Sequence, residues 1–258
     1  MDSAEITFVV LTHNEAPNIA ACLGSVPPRS RTLVYDACST DDTASIARSL
    51  GVTVVQEPWQ GFLRAREMAM TLVTTPWTFM LDADERLTPE LVRELELAHI
   101  NPEVGACSVP RRNHFCGRWI RSGGWWPDRL VRLFRTGQAH LQARGHGSGV
   151  HETWQVEGAC VALQAPIDHY SYASVADYRR KFALYTDLEA AGGQAGALDV
   201  LGAWLLVPVR FVWFWLRRGG IFEGWRGSFV CAGNASYPAV VASKRWTARR
   251  QRREEEMS

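Results

Sequence analysis

Four short, mostly apolar runs, at residues 6–11, 32–35, 52–55 and 77–81, alternate with stretches of helical spacing, and that alternation leaves few folds open. Run 6–11 is continuously apolar, as a strand buried on both faces is. Between the runs, 14–23 sets Ile19, Cys22 and Leu23 on one side, and 62–72 does the same with Ala65, Ala69 and Leu72. A helix carrying Ile46, Ala47 and Leu50 is expected to open at Ser39 and to end at Gly51 as its C′ residue. Ser39 with Asp42 reads as a capping box in which Asp replaces Glu or Gln. Thr88-Pro89-Glu90 starts a further helix, with Thr88 as N-cap and Pro89 in the first helical position. Strands alternating with helices predict an α/β fold with a mostly parallel sheet covered on both faces. In such sheets ligands bind beyond the carboxyl ends of the strands, so chemistry is expected just after each apolar run.

Three of those ends carry polar groups that a buried sheet does not need. They are Thr12-His13-Asn14-Glu15, Asp36 with Ser39-Thr40-Asp41-Asp42-Thr43, and Asp82-Ala83-Asp84-Glu85. Two carboxylates spaced as Asp82 and Asp84 suit a hard divalent cation, Mg2+ or Mn2+. Such an ion would bridge the oxygens of a diphosphate and neutralise charge growing on a leaving group. The plainer reading makes these acids helix caps and solvated loop charges, and for Asp41 and Asp42 capping is an equal alternative.

Composition narrows the field further. A chain of 258 residues, 47% hydrophobic and 21% charged, is globular and long enough for one large domain with a small appendage. A net charge of +1, with no basic face in the sheet half and no recognition motif, argues against a nucleic-acid partner. Six cysteines without a C-x-x-C pair read as reduced thiols of a cytosolic compartment. The opening MDSAEITFVVL lacks a basic region and reads as a first strand, not a secretory signal. The 200–216 run, VLGAWLLVPVRFVWFWL, is apolar but interrupted by Pro208 and Arg210. Its tryptophans and the following Arg217 and Arg218 favour a helix lying in a membrane interface, with a buried core helix or a span as alternatives. A basic stretch at 244–253, followed by Glu254–Glu256 acids, would attract anionic lipid or remain a solvated tail.

T-H-N-E (12–15), D-x-x-S-T-D-D-T (36–43), the helix bearing Arg66 and L-D-A-D-E (81–85), in that order, resemble family 2 glycosyltransferases. The segment 110–135, V-H-E at 150–152 and D-H-Y-S-Y at 168–172 are similar to the subgroup of lipopolysaccharide-core heptose β-1,4-glucosyltransferases. The resemblance implies a GT-A fold, Rossmann-like with a mostly parallel sheet flanked by helices, followed here by a C-terminal apolar helical membrane-association segment. It implies a donor half at 1–105, an acceptor half at 106–195 and a membrane-associating tail at 196–258. Asp36 would accept from the nucleotide base, uracil, while Thr12, Asn14 and Glu15 line the base and ribose pocket beside Ala83. Asp82 would contact the ribose or a metal-bound water, and Asp84 would ligate the metal. His151 would be a further ligand or a hydrogen-bonded structural residue. Arg66 would approach the diphosphate, unless it is an exposed helix residue.

The implied inverting transfer needs a base. Glu152 is the first candidate, its alternative being a partner for one of the arginines, and Asp128 is the second. Trp125 and Trp126 would stack on acceptor sugars or pack in a core. One departure is Cys38, where the family usually has Gly; a positive φ there would cost Cys what it does not cost Gly. Ala37 likewise replaces a residue that is often polar. The expected function is transfer of a hexose, glucose, from a UDP-sugar to a lipid-linked acceptor, the lipopolysaccharide core. The expected place is the cytoplasmic face of the inner membrane, peripheral or monotopic. The alternatives are a polyprenyl-phosphate acceptor, which needs no base, and a non-catalytic membrane-bound nucleotide-sugar-binding scaffold, against which the Asp36, Asp82 and Asp84 set argues.

Overall fold

The computed structural model describes residues 5–97, 103–143 and 152–256. The chain divides into two compact units, one of Met1–Arg112, Asp128–Gln142 and Glu152–Ser171, the other of Asn113–Pro127, Ala143–His151 and Tyr172–Ser258. In chain order the elements begin β1 (Ile6–Thr12), α1 (Ala16–Gly24), β2 (Arg31–Asp36), α2 (Thr43–Ser49), β3 (Thr53–Gln56), α3 (Phe62–Thr71) and β4 (Trp77–Asp82). They continue with β5 (Glu85–Leu87), α4 (Pro89–Leu97), β6 (Val104–Phe115), β7 (Arg118–Trp119), β8 (Asp128–Arg135), β9 (Ala139–Ala143), β10 (Glu152–Val156), β11 (Ala159–Ala162) and β12 (Ile167–Tyr172). Helices α5 (Val175–Ala191), α6 (Ala197–Leu205), α7 (Val207–Val212) and α8 (Gly224–Glu256) complete the chain.

The main sheet runs β3-β2-β1-β4-β8-β6-β12-β5, with β11 beside β6, and β9 and β10 form a separate ribbon. The first four strands in that order are parallel, as the βαβ alternation predicts. β8 then joins antiparallel to both β4 and β6. Alternation along β1 divides the core of the first unit. Ile6, Phe8 and Val10 pack with Ile19, Ala47 and Leu91, from α1, α2 and α4. Val9 packs on the other side with Leu33, Met80 and the small Ala65 and Ala69 of α3.

Local signals mostly act as expected. Thr88 Oγ1 accepts the Leu91 N–H at 3.2 Å and so caps α4. Gly51 adopts φ +76 just past α2. The capping box at Ser39 does not form: α2 starts at Thr43, and the Ser39 hydroxyl serves Asp36 instead. Asp41 takes over at the helix start by accepting the Thr43 N–H at 3.0 Å. β6 is a 12-residue strand where only short strands are predicted. Pro110, Arg111 and Arg112 mask its pattern, and both arginines are accommodated by carboxylate partners.

In the second unit Ser174 caps α5 by accepting the Asp177 N–H at 3.1 Å. Phe115, Tyr178 and Val230 form its core. Gly233 of α8 leaves room for Tyr178, whose hydroxyl lies 1.9 Å from where a Cβ would stand. The stretch Ala197–Arg217, 21 residues, is long and apolar enough to cross a membrane by length and composition, and none of it is buried. At 1.5 Å per residue it would measure about 31 Å. It is not one regular helix: α6 gives way at Leu206, near Pro208, which has no N–H to donate, and Trp213–Arg217 forms a π-helical turn. Leu198, Leu201, Leu205, Val209, Val212 and Leu216 are all exposed, at helical spacing. The indole N–H groups of Trp204 and Trp215 donate to Ser243 and Ser228 of α8.

Candidate active site

The strand register brings the polar ends of the first unit into line. Thr12 stands opposite Asp36 across β1 and β2, and Leu11 opposite Asp82 across β1 and β4. Asp36 is fully buried, yet both carboxylate oxygens are satisfied locally. One accepts the Ser39 N–H and Gln56 Nε2, each at 2.9 Å, and the other accepts the Ser39 hydroxyl. The loops after β1 and β2 are stitched together: the Asn14 N–H donates to Ser39 Oγ at 2.8 Å, and Asn14 Oδ1 accepts the Thr40 N–H at 2.9 Å. This geometry puts Asn14 at φ 55 and Cys38 at φ 53. The turn therefore does use the left-handed region at Cys38, where a side chain is disfavoured. Glu15 sits at the start of α1, and its Oε2 accepts Asn18 Nδ2 at 2.7 Å. Thr12 Oγ1 is buried and has no hydrogen-bond partner among the described residues. A buried hydroxyl left so is costly unless something else engages it.

At the end of β4, Asp82 and Asp84 have different surroundings. Asp82 Oδ2 accepts Arg132 Nη2 at 2.6 Å, and its Oδ1 lies 4.0 Å from Arg66 Nη2. Burial alone would raise the Asp82 carboxyl, but the Arg132 and Arg66 guanidinium groups prevail and hold it at about 2. The same Arg132 nitrogen also pairs with Glu85, which is fully buried and accepts the Asp82 N–H at 3.1 Å. Burial opposes the charge on Arg132, and its two carboxylate partners raise its pKa despite that. Arg111 continues the network, reaching Glu85 at 3.4 Å and donating twice to one oxygen of Asp128, at 2.9 and 2.7 Å. The Cys22 thiol donates to the Asp82 carbonyl at 3.6 Å, and burial followed by the neighbouring carboxylates pushes its pKa well up.

Asp84 is turned elsewhere. β5 pairs antiparallel with β12, which places His169 opposite Glu85. The Tyr170 N–H donates to the Asp84 carbonyl at 2.9 Å, and His169 Nε2 lies 3.4 Å from Asp84 Oδ1. The other ring nitrogen of His169 is 2.8 Å from Ser171 Oγ, which fixes the ring. A carboxylate oxygen and an imidazole nitrogen this close can serve one cation. Among the described residues no group of three or more His, Cys, Asp or Glu gathers that could hold a metal ion, and Asp84 with His169 is a pair.

The structure thus gathers Thr12, Asn14, Glu15, Asp36, Arg66, Asp82, the buried Ala83 and Asp84 at the strand ends of one unit, with Asp128 joined to them through Arg111 and Glu85. His151 lies outside the described residues; Glu152 is the first residue of β10, and its side chain is likewise outside them. Trp125 and Trp126 belong to the second unit. Trp125 packs 5.6 Å from Tyr172 and edge-on to Phe115, and Trp126 meets Trp119 edge-on at 5.0 Å. Sequence reasoning missed His169, although the D-H-Y-S-Y segment was in view, and Arg132. For Arg132 a signal existed: an arginine flanked by Leu130, Val131, Leu133 and Phe134 must find a buried carboxylate.

Comparison with known proteins follows the same lines. The glycosyl transferase family 2 model matches residues 7–154. The chain is 30% identical over 160 residues to the lipopolysaccharide core biosynthesis glycosyltransferase LpsC of Rhizobium meliloti (strain 1021), covering 59% of this chain and 58% of LpsC. It is 39% identical over 93 residues to an uncharacterized glycosyltransferase of Rickettsia felis, covering 36% of this chain and 33% of that protein. The chain therefore spans about a third to three-fifths of these relatives' lengths. Among solved structures, the mannosyltransferase PcManGT from Pyrobaculum calidifontis, in complex with GDP-Man and Mn2+, superposes with a TM-score of 0.55 at 15% identity. That match covers 93% of this chain and 86% of the other, and it establishes a shared fold.

Proposed function

The chain belongs to glycosyl transferase family 2 and has the GT-A fold, and on that footing we propose that it transfers a hexose, glucose, from a UDP-sugar to a lipid-linked saccharide of the lipopolysaccharide core. The observation that carries the reading is the Asp84–His169 pair beside Asp82, at the same sheet edge as Asp36 and the buried Thr12 hydroxyl, which no described residue engages. Asp84 and His169 would hold Mg2+ or Mn2+ together with the donor's diphosphate. The ion would supply charge neutralisation on the departing nucleoside diphosphate. Asp82, kept ionised by Arg132, offers its remaining acceptor capacity to the ribose or to a metal-bound water. Arg66, 4.0 Å from Asp82, would approach the diphosphate. Thr12, Asn14 and Glu15 would line the nucleoside beside Ala83, and the buried Asp36 would shape that pocket through the Ser39 turn it holds.

Glu152 would serve as the base that takes the acceptor proton, and His151, its neighbour in sequence, as a further metal ligand. Asp128 is the weaker candidate, because Arg111 already occupies one of its oxygens twice. Trp125 and Trp126 meet the acceptor sugars. In this reading 1–105 handles the donor, 106–195 the acceptor and 196–258 the membrane. The exposed apolar row from Leu198 to Leu216 supports a helix lying in a membrane interface; the proposal puts that interface on the cytoplasmic face of the inner membrane. LpsC, named for lipopolysaccharide core biosynthesis, supports the acceptor class.

The test is transfer of labelled hexose from UDP-glucose to truncated lipopolysaccharide in membranes, with wild type and Glu152→Gln. Label in the lipopolysaccharide, falling by about a hundredfold or more in Glu152→Gln, supports the reading. Transfer only to polyprenyl phosphate, unchanged in Glu152→Gln, would replace it with the acceptor that needs no base.

A further inference from the structure

The second unit contains a pocket of about 610 Å³ lined by none of the residues named above for the donor or the acceptor. Its walls come from the Arg118–Ser122 hairpin and from the turn that follows the apolar segment, Arg218 to Glu223. The volume lies within the range typical of small-molecule sites.

The charge of this pocket is unbalanced. Glu223 is buried in the wall, but it is already countered: one oxygen accepts the Arg121 N–H at 2.9 Å and the other lies 3.7 Å from Arg118 Nε. Among the described residues the ion pair in this wall is Arg118–Glu223, and the side chains of Arg121 and Arg218 enter none. Each is instead held over an indole ring, Arg121 over Trp119 at 4.4 Å and Arg218 over Trp213 at 4.9 Å. Stacking of that kind fixes the guanidinium plane and leaves its N–H edge available. Ser122 adds a buried Oγ with no hydrogen-bond partner among the described residues. Two positioned guanidinium groups and an unsatisfied hydroxyl suit an oxyanion with several acceptor oxygens, such as a phosphate.

The surroundings indicate the source of that phosphate. Phe222, on the rim, is 84% exposed, and Ile221 and Trp225 beside it are exposed as well. The rim follows directly on the exposed apolar row that ends at Leu216. A phosphate bound here by a protein lying in an interface would belong to the layer of lipid headgroups. We propose that this pocket binds the phosphate headgroup of an anionic membrane phospholipid, with Arg121, Arg218 and Ser122 as its ligands and Phe222 inserted among the acyl chains. The inference rests on the membrane reading above and adds to it a defined headgroup site.

The experiment is co-sedimentation of the full chain with vesicles of phosphatidylcholine alone, or of phosphatidylcholine mixed with phosphatidylglycerol. The variants are Arg121→Gln/Arg218→Gln and, as a charge-matched control in the exposed tail, Arg252→Gln/Arg253→Gln. Wild type should bind both vesicles and prefer the anionic ones. The pocket variant should keep its binding to neutral vesicles, which also reports that it is folded, and lose about 25-fold of its preference, roughly fivefold per charge. The tail control should lose a few-fold at most. Equal loss in both variants, or no loss in the pocket variant, would overturn the headgroup site while leaving the membrane reading intact. A wild-type chain that stays in solution with every vesicle would overturn the membrane reading and this site together.

Discussion

Replacing Arg132 with Met tests how the site is held together. The Arg132 side chain is 6% exposed and neutralises both Asp82, 32% exposed, and Glu85, 0% exposed. Met fills most of the volume and removes the charge. Asp82 can then turn to water, but Glu85 cannot; among the described residues it keeps the Asp82 N–H and Arg111 at 3.4 Å. Leaving a buried charge without its partner typically costs about 3–5 kcal/mol, and the remaining Arg111 places this case near 3 kcal/mol. Against a total stability of about 5–15 kcal/mol that loss is large. Equilibrium urea unfolding in a non-ionic detergent, followed by tryptophan fluorescence, measures it. The double variant Arg132→Met/Glu85→Gln should recover a good part of the loss, because the stranded charge is gone. A loss below about 1 kcal/mol, the value of an exposed ion pair, would refute the reasoning. The pH dependence gives a second reading. Asp82 has a folded pKa of about 2 against an ordinary 3.8, so its contribution is full above 3.8, falls between those values and is gone below about 2. In Arg132→Met the slope of stability across that window should flatten.

Other outcomes follow from the same geometry. Cys38→Gly should stabilise the chain by about 1 kcal/mol in the same unfolding assay, because Gly does not resist φ 53. Thr88→Ala should cost about 1 kcal/mol by removing the cap on Leu91. His169→Ala should weaken Mn2+-dependent donor binding by about tenfold or more in titration calorimetry, with nucleotide binding in the absence of metal little changed.

Much of the first unit was legible because its signals are local. The apolar runs, the Thr88-Pro89 start and Gly51 each act within a few residues, and the structure places them as expected. The Ser39 capping box failed because a competing local demand prevailed: buried Asp36, three residues upstream, takes the hydroxyl, and α2 starts only at Thr43. His169 and Arg132 were hidden for a different reason. Both reach the site through strand pairings, β5 with β12 and β4 with β8, that join segments about fifty to eighty residues apart in sequence, and no local pattern announces a partner at that distance. The apolar segment was visible by composition, but its division near Pro208 and its exposed row depend on how it packs along α8.

The central claim is that the carboxyl edge of the sheet is a metal-dependent nucleotide-sugar site. Donor binding, measured across a panel of nucleotide sugars with and without Mn2+, in wild type and Asp84→Ala, tests it most directly. The account predicts Mn2+-dependent binding of one UDP-hexose that is lost in Asp84→Ala. If no nucleotide sugar binds at any metal concentration, the strand-end carboxylates are caps and loop charges, and the account is contradicted.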